Sequence, residues 1–319
     1  MKKTRERTGK MTAKKTFTIS SLAFLCMGVL SFLLGRAAGY AFDALSSAGF
    51  AAAGSSYASF AAQIVIMYGI AMPSAMLILR LVPASRIEKT SLPAGQILKY
   101  LLICFPVTVI GSIAGNILSS LLSLGRAQDP LDRYIQTPGV MSFILTVLLA
   151  PFFEELLFRK LLIDRTVKYG EKNAVLFSAV VFALMHGNFF QIFYTFGAGL
   201  VFAYIYVRTG KLRYTLLIHV IMNFLGSVVS PAISAWVKGA AGQPYYPAAV
   251  TVSVLFAVSY FAATVAGIVF FVKKVRRLQF KRTEEELLAE ERTETIYYNA
   301  GFVILAAAQM IRCIINLLP

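Results

Sequence analysis

Glutamate, arginine, histidine and asparagine occur in this chain inside stretches that otherwise hold almost no polar atom. The segment APFFEELLFRK (150–160) sets Glu154 and Glu155 side by side, with Arg159 four residues after the second. The chain has two histidines, and both lie in apolar runs: His186 in VVFALMHGNFF, one turn after Phe182, and His219 in LLIHVIMNFLG, with Asn223 at i+4. A carboxylate can take a proton, an imidazole can hold or pass one, and a carboxamide can hydrogen-bond a developing negative charge. A charge near the centre of a membrane helix costs roughly 2.5–3.5 kcal/mol, so such residues pair with one another or serve a site.

Helix geometry divides the roles. Glu155 and Arg159 stand at i,i+4, share a face and can form an ion pair. Glu154 points about 100° away round the helix and is left to face something else. Pro151 removes a backbone hydrogen bond in the turn before, which can kink the helix and admit water. His219 and Asn223 present their polar groups on one face of another helix.

The elements that position these residues are membrane helices. The 319 residues are 58% hydrophobic and only 14% charged, where a soluble domain carries about 25% charged residues. Apolar runs recur at about 16–35, 58–79, 98–122, 140–163, 173–190, 191–207, 214–230, 248–272 and 300–318. A span needs ~20 such residues, and in lipid these runs fold as helices because their backbone polar groups have no water to pair with. The expected fold is an all-α, polytopic bundle of about eight transmembrane helices, or nine if the last run, interrupted by Arg312, also spans. The halves of 173–207 are the shortest.

The net charge is +16, but the cations are placed for a membrane and not for nucleic acid. Alternating from the tail MKKTRERTGKMTAKK, one side collects Arg80, Arg86 and Lys89; Lys160, Arg165, Lys168 and Lys172; Arg208, Lys211 and Arg213; and Lys273, Lys274, Arg276, Arg277, Lys281 and Arg282. The other side holds only Arg36, Arg126, Arg133 and Lys238. This bias puts the N-terminus in the cytosol and suits a bacterial plasma membrane, with anionic headgroups as partners of the basic loops. The first apolar run is long and lacks a small-x-small cleavage site, so it reads as a retained anchor.

Four regions follow: a basic cytosolic tail (1–15), a helix bundle (16–278) with the chemistry at about 140–230, an acidic cytosolic helix or linker (279–299) and a terminal apolar segment (300–319). The loops 125–139 and 238–247 are polar, punctuated by Pro and Gly, and extramembrane. Cys26, Cys104 and Cys313 lie far apart in apolar runs and show no disulfide or metal spacing. The GAG at Gly197–Gly199 reads as close helix packing.

Three motifs in order on separate spans, EExxxR (Glu154, Glu155, Arg159), FxxxH (Phe182, His186) and HxxxN (His219, Asn223), resemble those of the CAAX-protease and bacteriocin-processing family of intramembrane endopeptidases. Type II CAAX prenyl endopeptidases are its eukaryotic members. The resemblance covers roughly 140–230. It implies hydrolysis of a peptide bond in a cavity open to the cytosolic leaflet, on a peptide or protein substrate that in the CAAX case is prenylated. In that reading Glu154 is the general base and His186 helps to position the attacking water. His219 and Asn223 stabilise the oxyanion, and Glu155 and Arg159 hold the site together. Oxyanion donors gain strength in a low dielectric.

The resemblance leaves the cofactor open. A water activated by glutamate alone needs none. Zn2+ held by Glu154, His186 and His219 would leave one position open, although HExxH is absent and asparagine is a poor zinc ligand. Two other functions use the same residue types. Intramembrane Glu, His and Arg also mark proton-coupled transporters, which carry inverted repeats that this sequence does not show. A non-catalytic scaffold or immunity protein would keep the motifs for structure, and would keep its function in a Glu154→Gln variant.

Overall fold

The computed structural model describes residues 11–50, 55–129, 139–283 and 285–318. The start of the basic tail, most of the 125–139 loop, and Glu284 in the acidic segment lie outside these. The described chain is helical, without a strand. In order it forms α1 (Ala13–Ser47), α2 (Tyr57–Leu79), α3 (Ala94–Ser123) and α4 (Gly139–Tyr169). Then follow α5 (Glu171–His186), α6 (Phe189–Thr209), α7 (Leu212–Ala240), α8 (Tyr246–Val275), α9 (Ala289–Ile296) and α10 (Ala300–Ile315). Seven of these are long and apolar enough to cross a membrane, or eight if α9 and α10, bent by 58°, make one span.

The difference from the expected run at 173–190 has a local cause. α5 stops at His186 after 16 residues, about 24 Å at 1.5 Å per residue, which is short of a ~30 Å hydrocarbon core. Gly187 takes the left-handed conformation (φ 63°) that closes the helix. Asn188 then caps α6, its side chain accepting from Gln191 N at 2.9 Å. His186 is therefore the last residue of a helix, beside a turn, and does not sit in the middle of a span.

Lipid is as apolar as leucine, so membrane helices are held by close packing and by polar and ring contacts. α6 lies between α3 and α5, α8 packs on α3, α1 packs on α2 and α10, and α7 leans on α4 and α8. At Gly199 of α6 an added Cβ would sit 3.1 Å from Ala179 Cα of α5, so the GAG stretch is a packing device. Phe158 of α4 is stacked 4.9 Å from Phe24 of α1 and stands edge-on to Phe182 of α5 at 5.0 Å. Ile110, Ile113 and Ile117 of α3 and Val254, Val258 and Phe261 of α8 face outward and exposed.

The basic loops meet at one end. Thr90 N bonds to Thr209 O at 3.0 Å and Ser85 N to Asp164 O at 2.6 Å. Thr283 Oγ1 bonds to Lys168 O at 2.8 Å, Lys281 N to Glu171 Oε2 at 2.7 Å, and Tyr169 OH to Met11 O at 3.2 Å. The four loops and the tail that the charge pattern assigns to one side therefore touch one another.

Candidate active site

The chemistry is built on an irregular α4. Residues Phe143–Leu149 and Glu155–Ile163 run in wide π turns, separated by one α-helical stretch, Ala150–Glu154. Such i→i+5 turns cluster at functional sites. In the first of them Ala150 N–H bonds to Leu145 O. The next acceptor in that register is Thr146 O, and the residue that should donate to it is Pro151, which has no N–H. Asn223 of α7 supplies the missing donor: its Nδ2 gives a 2.8 Å bond to Thr146 O. A buried carbonyl left unpaired would be costly, so this bond fastens α7 to α4 where proline has opened the ladder.

One turn further on, Glu155 and Arg159 form the ion pair that their spacing predicts. Glu155 Oε2 lies 3.3 Å from Arg159 Nε, with the two side chains 1% and 0% exposed. The pair meets at an angle too poor for a hydrogen bond, so the charges attract without one at those atoms. Arg159 is held by other means. Its Nη1 donates to Ser178 Oγ at 3.1 Å, and Ser178 donates to Phe158 O at 3.0 Å. The guanidinium also lies 4.6 Å from the Phe182 ring centre and 5.6 Å from that of Phe202. Such cation–π contacts strengthen where water is excluded.

His219 joins the two glutamates. Its Nδ1 is 3.1 Å from Glu155 Oε1, a hydrogen bond, and its Nε2 is 3.7 Å from Glu154 Oε2, beyond hydrogen-bond reach. Phe202 lies against the imidazole at 5.0 Å, tilted by 32°. Glu154 is 19% exposed where Glu155 is 1% exposed. One carboxylate is thus locked into the protein, and its neighbour is left able to hold a water.

His186 adjoins the cluster through Phe182. Its Nδ1 is 2.8 Å from Phe182 O. A carbonyl only accepts, so Nδ1 carries the proton and Nε2 is an acceptor in the neutral ring. The Phe182 ring stands edge-on to His186 at 4.9 Å and to His219 at 6.1 Å. Phe182 is therefore the spacer common to the two imidazoles and to Arg159.

Four contributors lie outside the three motifs. Ser178 and Phe202 read as ordinary core residues. Arg312 and Asn316, at the C-terminal end of α10, reach the turn that follows His186: Asn316 Nδ2 donates to Gly187 O at 2.8 Å, and a Cβ on Gly187 would meet Arg312 Nε at 2.7 Å.

Zn2+ on Glu154, His186 and His219 would need the three side chains to converge. Among the described residues no three His, Cys, Asp or Glu side chains gather as a metal would need. The Nδ1 contacts of His219 with Glu155 and of His186 with a backbone carbonyl leave Nε2 as the nitrogen each ring could offer a ligand.

Comparison with known proteins points the same way as the geometry. Residues 136–225 match the family model described as type II CAAX prenyl endopeptidase Rce1-like, and that window holds all six polar residues of the three motifs. A protein of Bacillus subtilis (strain 168), described as a candidate membrane peptidase, YdiL, is 26% identical over 116 residues, 35% of this chain and 47% of that one. The chain spans about half the length of the curated relative it matches. No solved structure matches it. The resemblance carried by the three motifs thus stands over the window that holds the site, and the long apolar helices make the chain an integral, multi-pass membrane protein.

Proposed function

We propose that this protein is an intramembrane endopeptidase, and that Glu154 activates the water that cleaves the peptide bond. One observation carries the reading. Two adjacent carboxylates share one imidazole, and only Glu155 is paired with Arg159, which leaves Glu154 as the partly exposed base.

Glu154 takes a proton from a bound water, and the resulting hydroxide attacks the scissile carbonyl carbon. His186, with its Nδ1 proton directed at Phe182 O, offers Nε2 to accept a hydrogen bond from the remaining O–H of that water and so positions it. Charge develops on the carbonyl oxygen, and donors aimed there lower the barrier. His219 can donate from Nε2 only when both its nitrogens are protonated, because Nδ1–H is committed to Glu155. Asn223 keeps one amide N–H beyond the bond to Thr146. As the C–N bond breaks, Glu154 returns its proton to the leaving amine. The Glu155–Arg159 pair positions His219 and touches no substrate in this scheme.

The substrate is a peptide or protein segment that enters from the basic end, which faces the cytosol in this reading. The test is a peptidase assay on the purified protein in bilayers, with wild type and Glu154→Gln run with and without chelator. Prenylated and unmodified peptides of one sequence are compared side by side. Loss of cleavage in the variant with chelator-insensitive wild type supports the scheme. Cleavage that survives in Glu154→Gln removes Glu154 as base.

A further inference from the structure

The structure holds a second polar site, sharing no lining residue with the glutamate cluster, where α3 begins and α8 ends. The two helices touch closely at Gly267: an added Cβ there would lie 2.9 Å from the carbonyl carbon of Leu102 and 2.6 Å from Pro106 Cδ. From that contact they part toward the basic end and leave a crevice of about 660 Å3, the size of a ligand site. Ile103 and Phe270 line its lower walls, directly above the contact. Five of its lining residues are lysine or arginine and none is aspartate or glutamate.

Those five cations differ from their neighbours. At the same end Lys14, Lys160, Lys168, Arg208, Lys281 and Arg292 each pair with a carboxylate. None of the crevice cations forms an ion pair among the described residues. Two are fixed against aromatic faces instead. Lys274 Nζ lies 5.2 Å from the Tyr100 ring centre and 5.1 Å from that of Tyr204, and Lys99 Nζ lies 5.8 Å from that of Phe270. The protein thus holds a knot of unneutralised positive charge over an apolar slot, at the level where the hydrocarbon of a bilayer gives way to headgroups.

We propose that this crevice binds an anionic phospholipid, its phosphate among Lys99, Lys274 and Arg277 and an acyl chain along Ile103 and Phe270. A basic crevice between helices at a membrane interface is matched in charge and polarity by such a lipid, and a free anion would leave the apolar slot unfilled. The site rests on the chain lying in a bilayer and is independent of the peptidase reading.

The experiment is native mass spectrometry of the full chain from phosphatidylcholine nanodiscs doped with phosphatidylglycerol, counting retained phosphatidylglycerol. Wild type should retain it. The Lys99→Gln/Lys274→Gln/Arg277→Gln variant should retain about tenfold less, as loss of the headgroup contacts requires. Lys99→Gln/Arg277→Gln, which leaves the ring contacts of Lys274 intact, should move the same way. A control of equal charge change on exposed residues of the same end, Lys15→Gln/Lys89→Gln/Lys172→Gln, should retain the lipid. Glu154→Gln should retain it too, so failure of the catalytic scheme and failure here are separately visible. Equal loss in the control, no loss in the crevice variants, or displacement of the lipid by inorganic phosphate would overturn the proposal.

Discussion

Glu155 accepts a hydrogen bond from Nδ1 of His219 at 3.1 Å, and that contact decides which nitrogen the imidazole turns toward Glu154. Two neighbouring glutamates therefore do different work. Glu155 sits between Arg159 and His219 and is sealed from solvent, while Glu154 is the partly exposed member.

Glu154→Gln should cost little stability, about 0.5 kcal/mol, because its contact with His219 Nε2, at 3.7 Å, lies beyond hydrogen-bond reach. Cleavage should fall by about 10²–10⁴-fold, the span that a general base supplies. Thermal unfolding in detergent and the peptidase assay, on one preparation, check both halves.

Glu155→Gln should behave in the opposite sense. It leaves the fully buried Arg159 without its counter-charge, and breaking a buried pair from one side costs about 3–5 kcal/mol. The unfolding midpoint should drop markedly, and cleavage should drop with it because His219 loses the acceptor that orients it. A Glu155→Gln protein as stable as wild type would show that the pair does not hold the site.

Arg159→Lys should not rescue that architecture. A lysine cannot donate to Ser178 and lie flat between Phe182 and Phe202 at once, and guanidinium and ammonium are not interchangeable at stacked sites. The expected loss of stability exceeds that of Ser178→Ala, which removes two hydrogen bonds of about 1 kcal/mol each. Equal midpoints for the two variants would argue that the ring contacts contribute nothing.

Much of this site was legible in the sequence because glutamate, arginine and histidine are costly in lipid, and helical spacing says which of them share a face. The Glu155–Arg159 pair is the example. What stayed hidden has physical reasons. Continuous apolarity from 173 to 207 masks the turn at Gly187–Asn188, although glycine after a helix and asparagine before the next are the usual end signals. The π turns of α4 have no composition of their own; only Pro151 hints at them. Asn223 advertises a polar face but not its target, and Arg312 looks like an interruption of an apolar run until α10 is seen against Gly187.

That last contact gives a prediction about His186. Gly187 has φ 63° and abuts Arg312, so Gly187→Ala meets both backbone strain of about 1 kcal/mol and a collision with the guanidinium. The turn must shift, and His186 with it. Asn316→Ala loosens the same turn from the other side by removing a single hydrogen bond to Gly187 O. In the proposed scheme His186 positions the water and touches no substrate, so both variants should lower kcat with little change in KM. A change confined to KM would place this end of the molecule in substrate binding.

Asn223 invites a double-substitution cycle, because its two suggested duties separate there. If its amide serves chiefly to cap the Thr146 carbonyl, the need for it arises from Pro151. Asn223→Ala should then destabilise the protein by about 1–3 kcal/mol, the cost of a stranded buried acceptor. Pro151→Ala restores an N–H to the ladder, so the Pro151→Ala/Asn223→Ala protein should recover much of that loss, a coupling well outside additivity. Activity need not follow. Recovery of the unfolding midpoint without recovery of cleavage would assign the second amide N–H to the oxyanion; recovery of both would make Asn223 a structural brace; and strictly additive midpoints would show that proline and asparagine do not share the Thr146 carbonyl.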